Sequence, residues 1–328
     1  MSKCLKDIIV EFLTGVAGST ATLREIYEAV DRSDYERRSA TLHDSARRTL
    51  YENENTFVRV CRGVYMLNGE SSSSLLIEGD GRKLDEIEDA SVDCIITDHP
   101  WEDKKALKGG NRHFADYDVF RYTVDDFRQK ARVMKDGAYL VEFLPVESAT
   151  NYDYLYQIKM MAKECGLEYY THCIWRNAPE GSINTGRTTK GVQQLVIFSK
   201  GKPRKLSRDG VAGYQTREIL KYEIEMFLPA KRRCHQAEKP VELYEYLIRN
   251  LTDEHDICLD QFGGSCNLIK AAVNTNRFGI AYEICADFIR SAVDRFGCVP
   301  LYKSDRMALR CDVTGFVAGA DGQMMLAM

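Results

Sequence analysis

From residue 75 to residue 283 short apolar runs alternate with amphipathic stretches, and that alternation leaves few folds open. The strand-like runs are Leu75-Leu76-Ile77, Cys94-Ile95-Ile96, Ala138-Tyr139-Leu140-Val141, His172-Cys173-Ile174-Trp175, Leu195-Val196-Ile197-Phe198, Ile257-Cys258-Leu259 and Gly279-Ile280-Ala281-Tyr282. Each is too short for a helix and bounded by polar or turn residues. Between several of them, residues 123–133, 152–165, 240–251 and 267–274 read as helices. Strands separated by helices pair in parallel with helices on both faces. The pattern therefore predicts an α/β, doubly wound sheet. Ligands of such sheets sit beyond the carboxyl ends of the strands.

Residues 1–70 have a different texture. Leu5, Ile8, Ile9, Phe12 and Leu13 recur at helical spacing. Thr22 with Glu25 three residues on predicts a capping box for a second helix carrying Leu23, Ile26, Tyr27 and Val30. A third helix is expected over about 39–51, with Leu42, Ala46 and Leu50 inward and Arg37, Arg38, Arg47 and Arg48 around it. Phe57-Val58-Arg59-Val60 and Gly63-Val64-Tyr65-Met66-Leu67 predict a hairpin. Three helices and a β-wing resemble a winged helix. The third helix would then contact DNA, with a protein-docking module as the competing reading. Glu70 and Ser71 to Ser74 form a polar linker, so the expected domains are 1–70 and 71–328.

The 328 residues suffice for one large α/β domain and a small one. No apolar run approaches the roughly 20 residues that span a bilayer, and Asp7 and Glu11 interrupt the N-terminal apolar stretch. A cytoplasmic protein without membrane contact is expected. The eleven cysteines form no CxxC and no zinc spacing, so reduced buried thiols and no metal are expected. The formal charge of -4 requires any nucleic-acid contact to use local basic surface. Candidates are Lys104, Lys105, Lys108 and Arg112; Lys200, Lys202, Arg204, Lys205 and Arg208; and Lys231, Arg232 and Arg233.

Five motifs fall at strand ends or helix starts. Asp98-His99-Pro100-Trp101 follows the 92–97 strand. Its acid can accept a hydrogen bond from an exocyclic amine, turn carbonyls can accept a second, and the indole can stack on an extruded base. That leaves the amine lone pair facing a methyl donor. Asp260-Gln261-Phe262-Gly263-Gly264-Ser265-Cys266-Asn267 follows the 257–259 strand, and its small residues let backbone approach a bound nucleoside or amino-acid moiety. Glu283 ends the next strand, where an acid can bind ribose hydroxyls. Glu78-Gly79-Asp80 ends the first strand of the sheet, and its acid could take an adenine amino group. His235-Gln236-Ala237-Glu238-Lys239-Pro240 opens a helix, with Pro240 suited to its first turn.

In order and spacing these motifs, with Trp175-Arg176 and Phe198-Ser199-Lys200-Gly201-Lys202, resemble the β-class of DNA amino-methyltransferases over roughly residues 75–298. In that permuted group the catalytic motif precedes the cofactor motif. The resemblance implies a Rossmann-like methyltransferase sheet, S-adenosylmethionine as cofactor and double-stranded DNA as partner, with homodimer formation left open. It implies a role in DNA methylation and restriction-modification. Adenine N6 is the favoured target because an aspartate leads the tetrad. Cytosine N4, or a DNA-binding regulator whose catalytic domain has decayed, are the alternatives. The catalytic residues implied are Asp98, His99, Pro100 and Trp101, with Asp98 and the His99 carbonyl orienting the amine and Trp101 stacking on the base. The cofactor residues implied are Asp80, Asp98, Lys239, Pro240, Asp260, Phe262, Gly263, Gly264, Ser265 and Glu283. Asp80 would contact the adenine, Glu283 the ribose, and Lys239-Pro240 the amino-acid end. Three positions depart from the pattern. His99 and Gln261 each replace a proline, and Cys266 replaces the last glycine of the cofactor loop. Base-reading residues are expected within 101–122, 176–190 and 202–233.

Overall fold

The computed structural model describes residues 3–16, 20–33, 35, 42–53, 55–61, 63–67, 73–101, 119–177, 191–205, 220–227, 237–296, 298–299 and 308–312. The N-terminal part contains α1 (Leu5–Thr14), β1 (Thr20–Thr22), α2 (Leu23–Asp31), α3 (Leu42–Glu52), β2 (Phe57–Cys61) and β3 (Val64–Leu67). The capping box at α2 forms: the Thr22 N–H donates to Glu25 at 2.7 Å and the Glu25 N–H to Thr22 Oγ1 at 3.2 Å. The strands form an antiparallel sheet in the order β1-β3-β2. β1 was invisible to a search for apolar alternation, because Thr-Ala-Thr is three residues long and doubles as the helix cap.

Strand β3 joins this part to the rest. Tyr65 and Leu67 pack among Ile9, Ile26, Ala46 and Leu50, whereas Val64 and Met66 turn the other way, into the cluster that holds Leu75 and Ile77. Arg59 on β2 adds an ion pair to Glu88 at 2.8 Å. The hairpin therefore has two packed faces, which a solvent-exposed wing would not require.

The main sheet has ten strands in the order β12-β13-β4-β11-β10-β5-β6-β8-β7-β9. They are β4 (Ser73–Glu78), β5 (Val92–Thr97), β6 (Met134–Pro145), β7 (Leu167–Arg176), β8 (Val192–Lys200), β9 (Glu223–Glu225), β10 (Ile257–Asp260), β11 (Phe278–Glu283), β12 (Cys298–Val299) and β13 (Ala308–Asp312). Neighbours β4, β11, β10, β5 and β6 are all parallel, while β8 and β13 run antiparallel at the flanks. Side chains alternate across this sheet with the period of two that strands impose. Ile95, Ile257 and Leu259 face α4 (Val124–Val133) and α5 (Tyr152–Glu164), through Phe127, Leu155 and Ile158. Cys94, Ile96 and Cys258 face α6 (Val241–Leu251) and α7 (Asn267–Asn274), through Leu243, Leu247 and Leu268. Helix α8 (Ala286–Phe296) covers Leu76 and Ala281 on that second face. The chain is thus wound on both faces. Between β5 and β10 successive connections leave in opposite directions, which makes this the switch point where sheets of this kind take ligands in a crevice.

One charged pair lies wholly inside. Lys130 of α4 and Glu142 of β6 are both fully buried and hydrogen-bonded to each other. The Tyr122 hydroxyl donates to the second Glu142 oxygen at 3.1 Å, and the ammonium lies 3.6 Å from the Tyr122 ring centroid. Burial pushes the Glu142 carboxyl up and the Lys130 ammonium down from their ordinary values, while the opposite charge of each works against that shift in the other. Removing one partner strands the other. Lys130→Met should destabilise the fold by about 3–5 kcal/mol, read as a lower midpoint in urea unfolding. A midpoint unchanged from wild type would mean that Glu142 is satisfied without its lysine.

Candidate active site

The parallel ladder brings together four acids that are far apart in sequence. Glu283 on β11 sits level with Glu78 on β4, two residues before Asp80, and Asp260 on β10 sits level with Ala281. On the other side Leu259 sits level with Ile95 of β5, so Thr97 and Asp98 follow just beyond Asp260. Across the carboxyl edge the order is Asp80, Glu283, Asp260, Asp98. The switch point lies between the last two.

At the tetrad, Asp98 receives the Lys239 ammonium on Oδ2 and the Trp101 indole N–H on Oδ1, the latter at 3.3 Å. Lys239 is 4% exposed and also donates to the Ala237 carbonyl at 3.0 Å. The rings of Phe143 and Trp175 wall it in, 5.1 and 5.8 Å from the ammonium. Its neighbour Pro240 caps α6. The resemblance set Lys239 at the amino-acid end of the cofactor. The structure brings its ammonium to the tetrad, while its carbonyl accepts from Asn267 Nδ2 at 2.8 Å, at the start of α7. His99 is buried and bonds Tyr154 Oη through Nε2 at 2.8 Å. The Pro100 carbonyl accepts the Phe120 N–H at 3.2 Å.

Asp260 is buried. Its Oδ1 accepts from the Thr97 hydroxyl at 3.2 Å and the Phe262 N–H at 3.1 Å, and its Oδ2 from the Tyr244 hydroxyl at 3.3 Å. Desolvation raises its carboxyl to about 7, and the charge of Asp98 adds to the rise. Glu283 accepts three backbone N–H groups, from Ile284 and Cys285 on Oε1 at 2.8 and 2.7 Å and from Gly264 on Oε2 at 2.7 Å. Burial still raises its carboxyl above the usual range. The Gly264 bond is possible because Gly264 adopts φ +50°, a conformation with little cost only for glycine. Gly263 donates to the Tyr282 carbonyl at 2.7 Å, and Arg295 of α8 holds the Ser265 carbonyl at 3.1 Å. Phe262 is partly buried beside the rings of Phe120 and Tyr122, 5.5 and 6.4 Å away.

Two departures from the family pattern have local explanations. Gln261 donates from Nε2 to the Gly81 carbonyl at 2.7 Å and ties the Asp80 loop to the Asp260 loop. Those loops touch so closely that a Cβ on Gly81 would lie 1.9 Å from the Gln261 carbonyl oxygen. Cys266 adds a side chain where the pattern has a glycine. That side chain is fully buried with Leu76, Ile269, Ala281 and Ile289, on the α7–α8 side of the loop. The residue adopts φ 55° to do so, which is uncommon for a residue with a Cβ.

Sequence reasoning missed several neighbours. Thr97 and Tyr244 bond Asp260, and Tyr122 and Tyr154 flank His99, yet none of them lies in a recognisable motif. Ile284, an apolar residue directly after Glu283, is 65% exposed at the edge. One candidate basic run lies at the opposite edge of the sheet from the tetrad. Because β8 runs antiparallel to β6, Lys200 reaches the Met134 carbonyl at 2.8 Å and Arg204 pairs with Asp93 and Asp256, at the amino ends of β5 and β10. The runs 104–112 and 231–233, Arg208, and most of the expected base-reading segments lie outside the described residues.

The sequence model of the DNA methylase family of N6/N4 type matches residues 92–294. Type II methyltransferase M.HpaI of Haemophilus parainfluenzae is 24% identical over 230 residues, which cover 65% of this chain and 71% of that protein. In fold the chain is similar to a DNA modification methylase of Thermus thermophilus, TTHA0409, solved in complex with S-adenosyl-L-methionine. The TM-score is 0.50 at 18% identity, over 68% of this chain and 93% of that one. It is also similar to the cytosine-N4-specific PvuII DNA methyltransferase, with a TM-score of 0.52 at 19% identity over 69% and 87%.

The raised carboxyl of Asp260 has a consequence for stability. An unfolded aspartate titrates near 3.9, whereas the folded one holds its proton to about 7. Between those values the folded state binds more protons, so raising the pH favours unfolding. The contribution is full below about 4, is lost as the pH climbs to about 7, and is flat above. Asp260→Asn should therefore shrink the loss of stability between pH 5 and pH 7, measured by urea unfolding without ligand. Equal losses in wild type and variant would return Asp260 to an ordinary value.

Proposed function

The chain belongs to the N6/N4 DNA methylase family, and from that premise we propose that it transfers the methyl group of S-adenosylmethionine to the N6 amine of an adenine flipped out of double-stranded DNA. The observation that carries the reading is the switch point between β5 and β10, where Asp98 of the tetrad ends one strand and Asp260 of the glycine loop ends the next. The edge suits the cofactor on its own chemistry. The buried Asp260, with its raised carboxyl, is ready to give up a proton beside an ammonium. Lys239 offers a cation to a carboxylate. Glu283 keeps a lone pair on Oε2 for a ribose hydroxyl. Asp80 and exposed Ile284 flank the place for an adenine ring. When bound, the cofactor supplies an electrophilic sulfonium methyl. The protein orients the amine: Asp98 accepts one N–H, the His99 carbonyl accepts the other, and Trp101 stacks on the base. Adenine is preferred because an aspartate leads the tetrad. Cytosine N4 is the second reading, as in the cytosine-N4-specific PvuII DNA methyltransferase.

Asp98→Ala removes the acceptor that aligns the amine. Single-turnover transfer to DNA should fall by roughly two orders of magnitude or more, with S-adenosylmethionine affinity largely kept in calorimetry. A near-normal rate would take Asp98 out of the mechanism. Modification-sensitive sequencing of DNA from cells expressing the chain identifies the base. Cofactor binding separates both enzyme readings from a decayed regulator.

For the N-terminal part the proposal is a winged-helix-like unit whose α3 lies against DNA phosphates. Arg47 and Arg48 are exposed on one face of that helix, opposite buried Leu42, Ala46 and Leu50. Replacing both by alanine should make the slope of log affinity against log salt shallower by up to about 2, since each neutralised phosphate contributes roughly 0.9. Identical slopes would favour the protein-docking reading of this face.

A further inference from the structure

We infer that His99 is a positioning residue: its buried side chain, bonded to Tyr154 and packed on Tyr122, holds the His99 carbonyl where a proline ring at that position would otherwise fix it. The inference rests on the methyl-transfer reading for what the carbonyl does. How the carbonyl is held is read from the packing alone.

A proline at position 99 would lock φ near −65°. Histidine leaves φ free, although Pro100 still confines the residue to extended conformations. The missing restraint comes from the side chain. His99 is 1% exposed, and its Nε2 lies 2.8 Å from Tyr154 Oη. The same Oη accepts the Tyr122 N–H at 2.9 Å, and the Phe120 N–H donates to the Pro100 carbonyl at 3.2 Å. The imidazole centroid is 4.0 Å from that of Tyr122, whose hydroxyl is anchored on Glu142. These three bonds tie two successive residues of the tetrad to segment 120–122 and to α5.

The imidazole itself is turned away from the chemistry. Nε2 is engaged by the Tyr154 hydroxyl, which also accepts the Tyr122 N–H. Nδ1 has no hydrogen-bond partner among the described residues. Burial, reinforced by the nearby charge of Lys130, holds this histidine well below its ordinary value, so it is neutral at neutral pH. Its bonded nitrogen, Nε2, is directed at Tyr154, so the side chain serves to hold the turn.

The test compares His99→Ala, His99→Pro and Tyr154→Phe in the full chain. One readout is single-turnover methyl transfer at saturating S-adenosylmethionine and DNA. The other is amide hydrogen exchange at Asp98 and Trp101. His99→Ala should slow transfer about tenfold or more, leave cofactor affinity nearly unchanged and speed the exchange. Tyr154→Phe should act in the same direction. His99→Pro, which also lacks the imidazole, should be several-fold faster than His99→Ala and exchange more slowly. His99→Pro no better than His99→Ala in both readouts would overturn the proposal, because the ring would then matter for packing or chemistry. His99→Ala indistinguishable from wild type would overturn it as well. Should wild type bind S-adenosylmethionine yet modify no DNA, the methyl-transfer reading fails, while the exchange comparison still decides how the tetrad is held.

Discussion

The register of four parallel strands is the constraint on which everything else depends. β4, β11, β10 and β5 come from the two ends of a stretch of some two hundred residues, yet their hydrogen bonds set Asp80, Glu283, Asp260 and Asp98 along one edge. Parallel strands cannot be joined by tight turns. Each neighbour must be reached by a crossover, and the crossovers deposit helices on both faces. Those helices bury both sides of the sheet, which leaves its carboxyl edge as the place where polar groups can emerge beside apolar ones. The switch point follows from the winding, because connections leave β5 and β10 in opposite directions.

Charge at that edge is only partly solvated. Asp260 and Glu283 are held by backbone N–H groups and hydroxyls, and burial raises both carboxyls despite those bonds. Asp98 has a lysine, walled by Phe143 and Trp175, on one oxygen. In such surroundings an arriving cation or anion meets groups already oriented, and little reorganisation is needed. The Lys130–Glu142 pair serves the same end from further back. It holds Tyr122, and Tyr122 with Tyr154 and Phe120 braces the tetrad from the side of α5.

Much of this was legible in the sequence where a single periodicity ruled. The strand-like runs and the helices of 124–133, 152–164, 241–251 and 267–274 are where the apolar pattern put them, because burial of both sheet faces demands that pattern. The acids at strand ends were legible for the same reason. Features set by contacts remote in sequence were not. β1 and β9 are three residues each, too short to carry a period. The antiparallel direction of β8 is a property of pairing rather than composition, and it carries Lys200 and Arg204 to the far edge. Lys239 meets Asp98 across 141 positions, and no local spacing announces that.

The three departures from the family pattern share a geometry. Gln261 sends its amide to Gly81, Cys266 sends its sulfur into the α7–α8 cluster, and His99 sends its ring to Tyr154. In each case the side chain that differs points into the protein, and backbone is what remains at the carboxyl edge. A site that recognises its ligands through carbonyls, N–H groups and a few strand-end carboxylates tolerates such exchanges, provided the interior can satisfy the new polar atoms. A decaying site would be expected to lose its ligand-facing groups at least as readily as its buried ones. Here Asp98, Asp260, Gly263, Gly264 and Glu283 are all present, and the changed side chains are packed; Gln261 and His99 are each hydrogen-bonded through one nitrogen, while Gln261 Oε1 and His99 Nδ1 have no partner among the described residues. On the proposed methyl-transfer reading, that distribution weighs against a decayed regulator, because the changes lie behind the strand-end groups rather than among them.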